Sequence, residues 1–132
     1  MSVLVDTSVW SLAFRKAGPA DHPKVRQLTA LLDEDESVVL TGLILQEILQ
    51  AFRSDSTFRE LSDYLESFPL LPLNRSEYVG AARLHRACAS MGVSASTSDC
   101  QIAIAAITLR CPLLTTDKDF DHIARLSDLQ LM

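Results

Sequence analysis

Three short apolar runs, SVLV at 2–5, SVVLT at 37–41 and PLLTT at 112–116, constrain this chain most. Each is rich in valine or leucine and too short to be a buried helix, which marks it as a strand in a sheet covered on both faces. The segments between them carry apolar residues at helical spacing. TSVWSLAFRK (7–16) groups Val9, Trp10, Leu12, Ala13 and Phe14, and AGPADHP then breaks the pattern. PKVRQLTALLDEDE starts at Pro23 and repeats Val25, Leu28, Leu31 and Leu32. GLILQEILQAFR (42–53) aligns Ile44, Leu45, Ile48, Leu49 and Phe52, and TFRELSDYLESF (57–68) aligns Phe58, Leu61, Tyr64 and Leu65. PLLPL (69–73) reads as a further strand whose prolines suit a sheet edge. SEYVGAARLHRACASMG (76–92) reads as a helix ended by Gly92. In STSDCQIAIAAITLRC (96–111) only Thr108 is polar between Ile102 and Leu109. Such a helix is buried on several sides, between the sheet and another helix or between two subunits. DKDFDHIARL (117–126) is a short helix, and LQLM (129–132) is a candidate last strand.

Strands alternating with helices predict an α/β fold, an α/β/α sandwich with a mainly parallel sheet of four to five strands. The 132 residues show no repeat, linker or low-complexity segment and suit a single domain, 1–132. No apolar run approaches the roughly 20 residues of a membrane span, and the first residues lack the pattern of a signal peptide, so the cytoplasm is the expected location. The three cysteines, Cys88, Cys100 and Cys111, form no C-x-x-C pair and read as reduced thiols. The net charge of −5 argues against a nucleic-acid binder held by a basic surface. It does not exclude a nuclease, because a cation bound by carboxylates reverses the local field. Arginine outnumbers lysine nine to three, which suits phosphate recognition.

The acids are the chemical signal. In an open α/β sheet the functional crevice lies outside the carboxyl ends of the strands. Asp6 and Asp117 each follow an apolar run directly or closely, Asp99 heads the most apolar helix, and Glu47 lies beside the strip of Ile44, Ile48 and Phe52. Singly, each has an ordinary structural reading. Asp6 and Asp117 could cap helices, Ser96 and Asp99 fit a capping box, and Glu47 could pair with an arginine. Together they match the oxygen-ligand needs of Mg²⁺ or Mn²⁺. Carboxylates holding such ions can activate water for attack on a phosphodiester.

With VLVDTSVW at the start, a glutamate in LILQEIL, then SDCQIAIAA and LLTTDKDF, all in order, the chain resembles PIN-domain ribonucleases, and among them the VapC toxins of bacterial toxin–antitoxin pairs. The resemblance spans essentially the whole chain. It implies a metal-dependent endoribonuclease acting on single-stranded or loop RNA, with 5′-phosphate and 3′-hydroxyl products. It implies a small antitoxin partner; the apolar faces at 102–109, 43–52 and 58–65, more than a chain this small covers with its own sheet, predict a homodimer contact or a groove for an antitoxin helix. Asp6, Glu47, Asp99 and Asp117 occupy positions that resemble the family's metal-binding and catalytic acids, and Asp119 matches an additional acid. The glutamate stands a few residues later than in the family pattern. Thr7 or Ser8, and Thr115 or Thr116, match small hydroxyl residues near that centre, and Thr7, Ser8 and Thr116 are candidate substrate-binding residues. Asp121 has no counterpart and reads as a solvated acid in the first turn of its helix. Arg15, Lys16 and Lys118 are the candidate holders of the RNA backbone. No histidine is required, and His22, His85 and His122 read as surface or structural residues. Trp10 could stack a base, but its spacing with Leu12, Ala13 and Phe14 assigns it to the core.

Two other readings stay open at this level. A receiver-like phosphoacceptor domain would place an acid after a central strand, yet PLNRS and TGL carry none. A non-catalytic scaffold for RNA or protein would keep the fold with a decayed site, yet all four acids are present.

Overall fold

The computed structural model describes residues 2–15 and 22–132, so Lys16 and most of the predicted break at 17–23 lie outside the described residues. The strands are β1 (Ser2–Val5), β2 (Ser37–Thr41), β3 (Leu70–Leu71) and β4 (Leu113–Leu114). The helices are α1 (Thr7–Phe14), α2 (Pro23–Asp33), α3 (Gly42–Gln50), α4 (Asp55–Leu65), α5 (Arg75–Ser90), α6 (Thr97–Leu109) and α7 (Asp119–Arg125). The sheet has the order β3-β2-β1-β4, with every pairing parallel. Leu4 of β1 lies opposite Val39 on one side and Leu113 on the other.

β3 is two residues long because its prolines limit the ladder; Pro69 contributes only its carbonyl, which accepts from the Leu40 N–H at 3.0 Å. The candidate last strand is reduced to one parallel bridge between Leu113 and Leu131. The membrane reading agrees with the structure to this extent: no helix among the described residues is long and apolar enough to cross a bilayer.

Right-handed crossovers place α1 to α4 on one face of the sheet and α5 and α6 on the other, because the path from β3 to β4 runs back past β1. The core lies between these layers. Leu4, Leu40, Ile44, Ile48, Leu113, Leu114, Phe120 and Ile123 are fully buried. Trp10 is buried too, with its ring 5.5 Å from that of Phe14 and 5.4 Å from that of Phe68. Its indole Nε1 is buried without a hydrogen-bond partner.

The fold absorbs most of the apolar excess on α6. Cys100, Ile102, Ala103, Ala105 and Ala106 are buried, and α5 packs along it so closely that Gly80 approaches Ile104. Gly92 has φ +73°, in the left-handed region that glycine enters without steric penalty, and it follows α5 as expected. Leu109, at the end of α6, is exposed, and the other exposed large apolar side chains include Phe58, Tyr64, Leu70, Tyr78 and Val79.

Candidate active site

The strand order reverses at β1, which puts the crevice between the carboxyl ends of β1 and β4. The backbone N–H of Asp6 donates to the carbonyl of Leu114 at 2.9 Å, so the two strand exits are tied together there. Asp6 leaves β1 into α1 and is only 6% exposed. It holds the N-cap position of α1, yet its side chain makes no capping hydrogen bond. Its Oδ2 instead accepts from the Ser8 hydroxyl at 2.8 Å and from the Thr115 hydroxyl at 2.9 Å.

The two hydroxyls are themselves fixed. Ser8 Oγ accepts from the Thr116 N–H and Thr115 Oγ1 from the Asp117 N–H, each at 3.0 Å. A hydroxyl has one hydrogen to donate. Both hydrogens go to Asp6, so the 3.3 Å between Ser8 Oγ and Thr115 Oγ1 is a contact of two committed groups. The result is a stitch between the start of α1 and the exit of β4. It satisfies one oxygen of Asp6, and the other accepts no hydrogen bond from a side chain among the described residues.

Replacing Thr115 with valine keeps the shape and removes both bonds. The variant is expected to lose about 1–3 kcal/mol in denaturant unfolding, as for a buried acceptor stripped of a donor, while Thr115→Ser regains most of it. Equal midpoints for wild type and Thr115→Val would remove the stitch from the account.

The remaining acids arrive from three other elements. Glu47, half-buried on α3, accepts from the Thr7 hydroxyl at 3.0 Å. Burial raises its pKa above the ordinary 4.5; the Thr7 hydrogen bond opposes this, and the charges of Asp6 and Asp99 add to it. The glutamate that stands late in the sequence pattern therefore does reach the other acids.

Asp99 sits in the first turn of α6, where its N–H donates to Ser96 Oγ at 3.0 Å. Burial raises its pKa from 3.8; the Ser96 hydroxyl and backbone oppose the rise, while the charges of Asp117 and Asp119 reinforce it. Asp117 spends one oxygen, Oδ1, on the Asp119 N–H at 2.9 Å, a local bond at the entry to α7, whose N-cap position is Lys118 rather than Asp117. Asp99, Asp117 and Asp119 can each present a carboxylate oxygen within 4.8 Å of the others, the one such group of His, Cys, Asp or Glu among the described residues. Asp119, although exposed, thus belongs to this group.

Thr7, Ser8 and Thr115 lie in this network, while Thr116 and Lys118 line a cleft beside Asp117. Arg15 stands exposed at the other end of α1, about 13.5 Å along the axis from Asp6 at 1.5 Å per residue. Asp121 is exposed on the cleft wall, and His85 and His122 are exposed. His22 and Lys24 also line the cleft. Nothing in the sequence pattern marks these two, since they precede or open a helix far from the acidic motifs.

The PIN domain model matches residues 3–126. The chain belongs to the PIN-domain family. Among its relatives, the VapC ribonuclease Mb1587 of Mycobacterium bovis is 33% identical over 130 residues, covering 97% of this chain and 96% of that protein. Ribonuclease VapC11 of Mycobacterium tuberculosis gives the same figures. Two solved structures share the PIN fold. VapBC2 from Rickettsia felis, bound to a DNA fragment from its promoter, has a TM-score of 0.79 at 16% identity, covering 100% of this chain and 98% of that one. VapBC-1 from nontypeable Haemophilus influenzae has a TM-score of 0.78 at 18% identity, covering 100% and 97%.

Proposed function

We propose that this PIN-domain protein is a metal-dependent endoribonuclease and the toxin of a toxin–antitoxin pair. The observation that carries the reading is the convergence of Asp6, Glu47, Asp99, Asp117 and Asp119, from four segments of the chain, on the crevice between β1 and β4. Uncompensated acids this close repel one another, and a donor set made only of carboxylates fits Mg²⁺ or Mn²⁺. These five residues would hold the ion, and when bound it activates water and neutralises charge on the phosphate.

The chain's own groups orient the acids. Ser8 and Thr115 fix one oxygen of Asp6, Thr7 fixes Glu47, and Ser96 anchors the turn that presents Asp99. The relatives named as VapC ribonucleases support RNA as the substrate. The test is cleavage of end-labelled single-stranded RNA with Mg²⁺ or Mn²⁺, and again with EDTA. Internal cuts leaving 5′-phosphate ends, lost on chelation, are expected. Cleavage undiminished by EDTA would count against the metal reading.

The resemblance to VapBC assemblies supports an antitoxin partner, and the reading extends to a homodimer and a cytoplasmic setting. The exposed side chains of Phe58, Tyr64, Leu70, Tyr78 and Val79 supply the apolar surface such contacts need. A monomer at high micromolar concentration in analytical ultracentrifugation would exclude the dimer.

A further inference from the structure

A cleft of about 360 Å³ opens against Asp117. Its hydrogen-bond donors come from opposite ends of the chain, with His22 and Lys24 at the start of α2 and Lys118 before α7. Two of the chain's three lysines thus meet beside one of the metal-site acids.

The donors are available for a ligand. His22 Nδ1 accepts from the Lys24 backbone N–H at 3.1 Å, so the ring's other nitrogen, Nε2, carries hydrogen in either protonation state. Lys24 Nζ donates to the Met132 carbonyl at 2.8 Å, which fixes the ammonium and leaves two of its three hydrogens. Lys118 is exposed, and Thr116 offers its hydroxyl from the same wall. Asp121 opposes these charges, while Asp117 also belongs to the carboxylate group with Asp99 and Asp119.

We propose that this cleft is a subsite for an RNA backbone phosphate next to the cleaved bond, with Lys24, Lys118 and His22 as its donors. Donors lining the same cleft as Asp117 would fix the register of the strand, as phosphate contacts do. The subsite rests on the ribonuclease reading above.

The experiment measures binding of a fluorescent single-stranded RNA over a salt series, in an Asp99→Asn background with Mg²⁺ present so that the strand stays intact. Lys24→Gln, Lys118→Gln and His22→Asn are compared with Arg59→Gln, which removes a charge from an exposed position on α4. Asparagine keeps a capping acceptor at position 22 and removes the Nε2 donor.

Each lysine variant is expected to weaken binding about five- to tenfold and to flatten the slope of log affinity against log salt by about 0.7 per lost phosphate contact. Lys24→Arg and Lys118→Arg should restore both, and Arg59→Gln should change neither. With Asp99 intact, the lysine variants should show the loss in KM. Melting curves identify any variant that fails to fold, and the arginine pair then decides.

Wild-type cleavage together with unchanged affinity and slope in both lysine variants would overturn the subsite and leave the ribonuclease reading standing. A wild type that neither binds nor cleaves RNA would overturn both.

Discussion

Asp99→Ala and Asp117→Ala are expected to reduce the rate of RNA cleavage at least about a hundredfold, a loss of roughly 2.7 kcal/mol in barrier lowering. Both belong to the carboxylate group whose oxygens lie within 4.8 Å of one another. Asp6→Ala and Glu47→Ala should fall in the same range, because their carboxylates are held by hydroxyls from neighbouring elements. Asp119→Ala should fall between these and the wild type. Its carboxylate joins Asp99 and Asp117, but it is exposed. Asp121→Ala should cost least. The assay is initial rate on one labelled RNA with saturating Mn²⁺, each variant checked for its fold by circular dichroism. Wild-type cleavage by Asp99→Ala would falsify the assignment.

The second large effect is on stability, and its sign is opposite. Glu47 and Asp99 have folded pKa values raised above 4.5 and 3.8, in both cases first by burial and then by neighbouring acids. A raised carboxylate pKa means that the folded chain binds more protons than the unfolded chain between the two values. The stability it contributes is fully present below the unfolded pKa and is lost as pH rises through the folded one. At neutral pH without metal both groups therefore oppose folding. Asp99→Asn and Glu47→Gln should melt higher than wild type in EDTA, and the gap should close as pH falls below about 4, where model carboxylates take up protons.

Metal should reverse the ranking. An ion at a hundredfold excess over its dissociation constant stabilises the folded wild type by about 2.7 kcal/mol, and that shifts the melting point of a domain this size by several degrees. Lys118 alone cannot substitute, since an exposed ion pair contributes about 1 kcal/mol at most. Thermal melts of wild type and Asp99→Asn in EDTA, Mg²⁺ and Mn²⁺ measure both effects. Equal stabilisation of the two by Mn²⁺, or of neither, would show that the acids do not form one metal site.

Much of the architecture is legible in the sequence because it is local. Strand runs bounded by aspartate or threonine, helical spacing, and glycine at 92 each act within a few residues. β1, β2 and all seven helices accordingly lie close to where the pattern puts them. Strand length is less legible, because pairing depends on distant partners. PLLPL shrinks to Leu70–Leu71 because proline cannot complete a ladder, and LQLM supplies a single bridge beside β4. The apolar run on α6, open in sequence to a partner subunit, is mostly covered by the chain itself.

The site divides the same way. That Asp6, Glu47, Asp99 and Asp117 are the acids of interest could be read from position, because each follows a strand or faces an apolar strip. That one oxygen of Asp6 is bound by Ser8 and Thr115, and that Lys24 stands beside Asp117, could not. Those facts join residues up to 109 positions apart. Sequence spacing determines which face of a helix or strand a side chain takes, but only the order of strands in the sheet decides which faces meet.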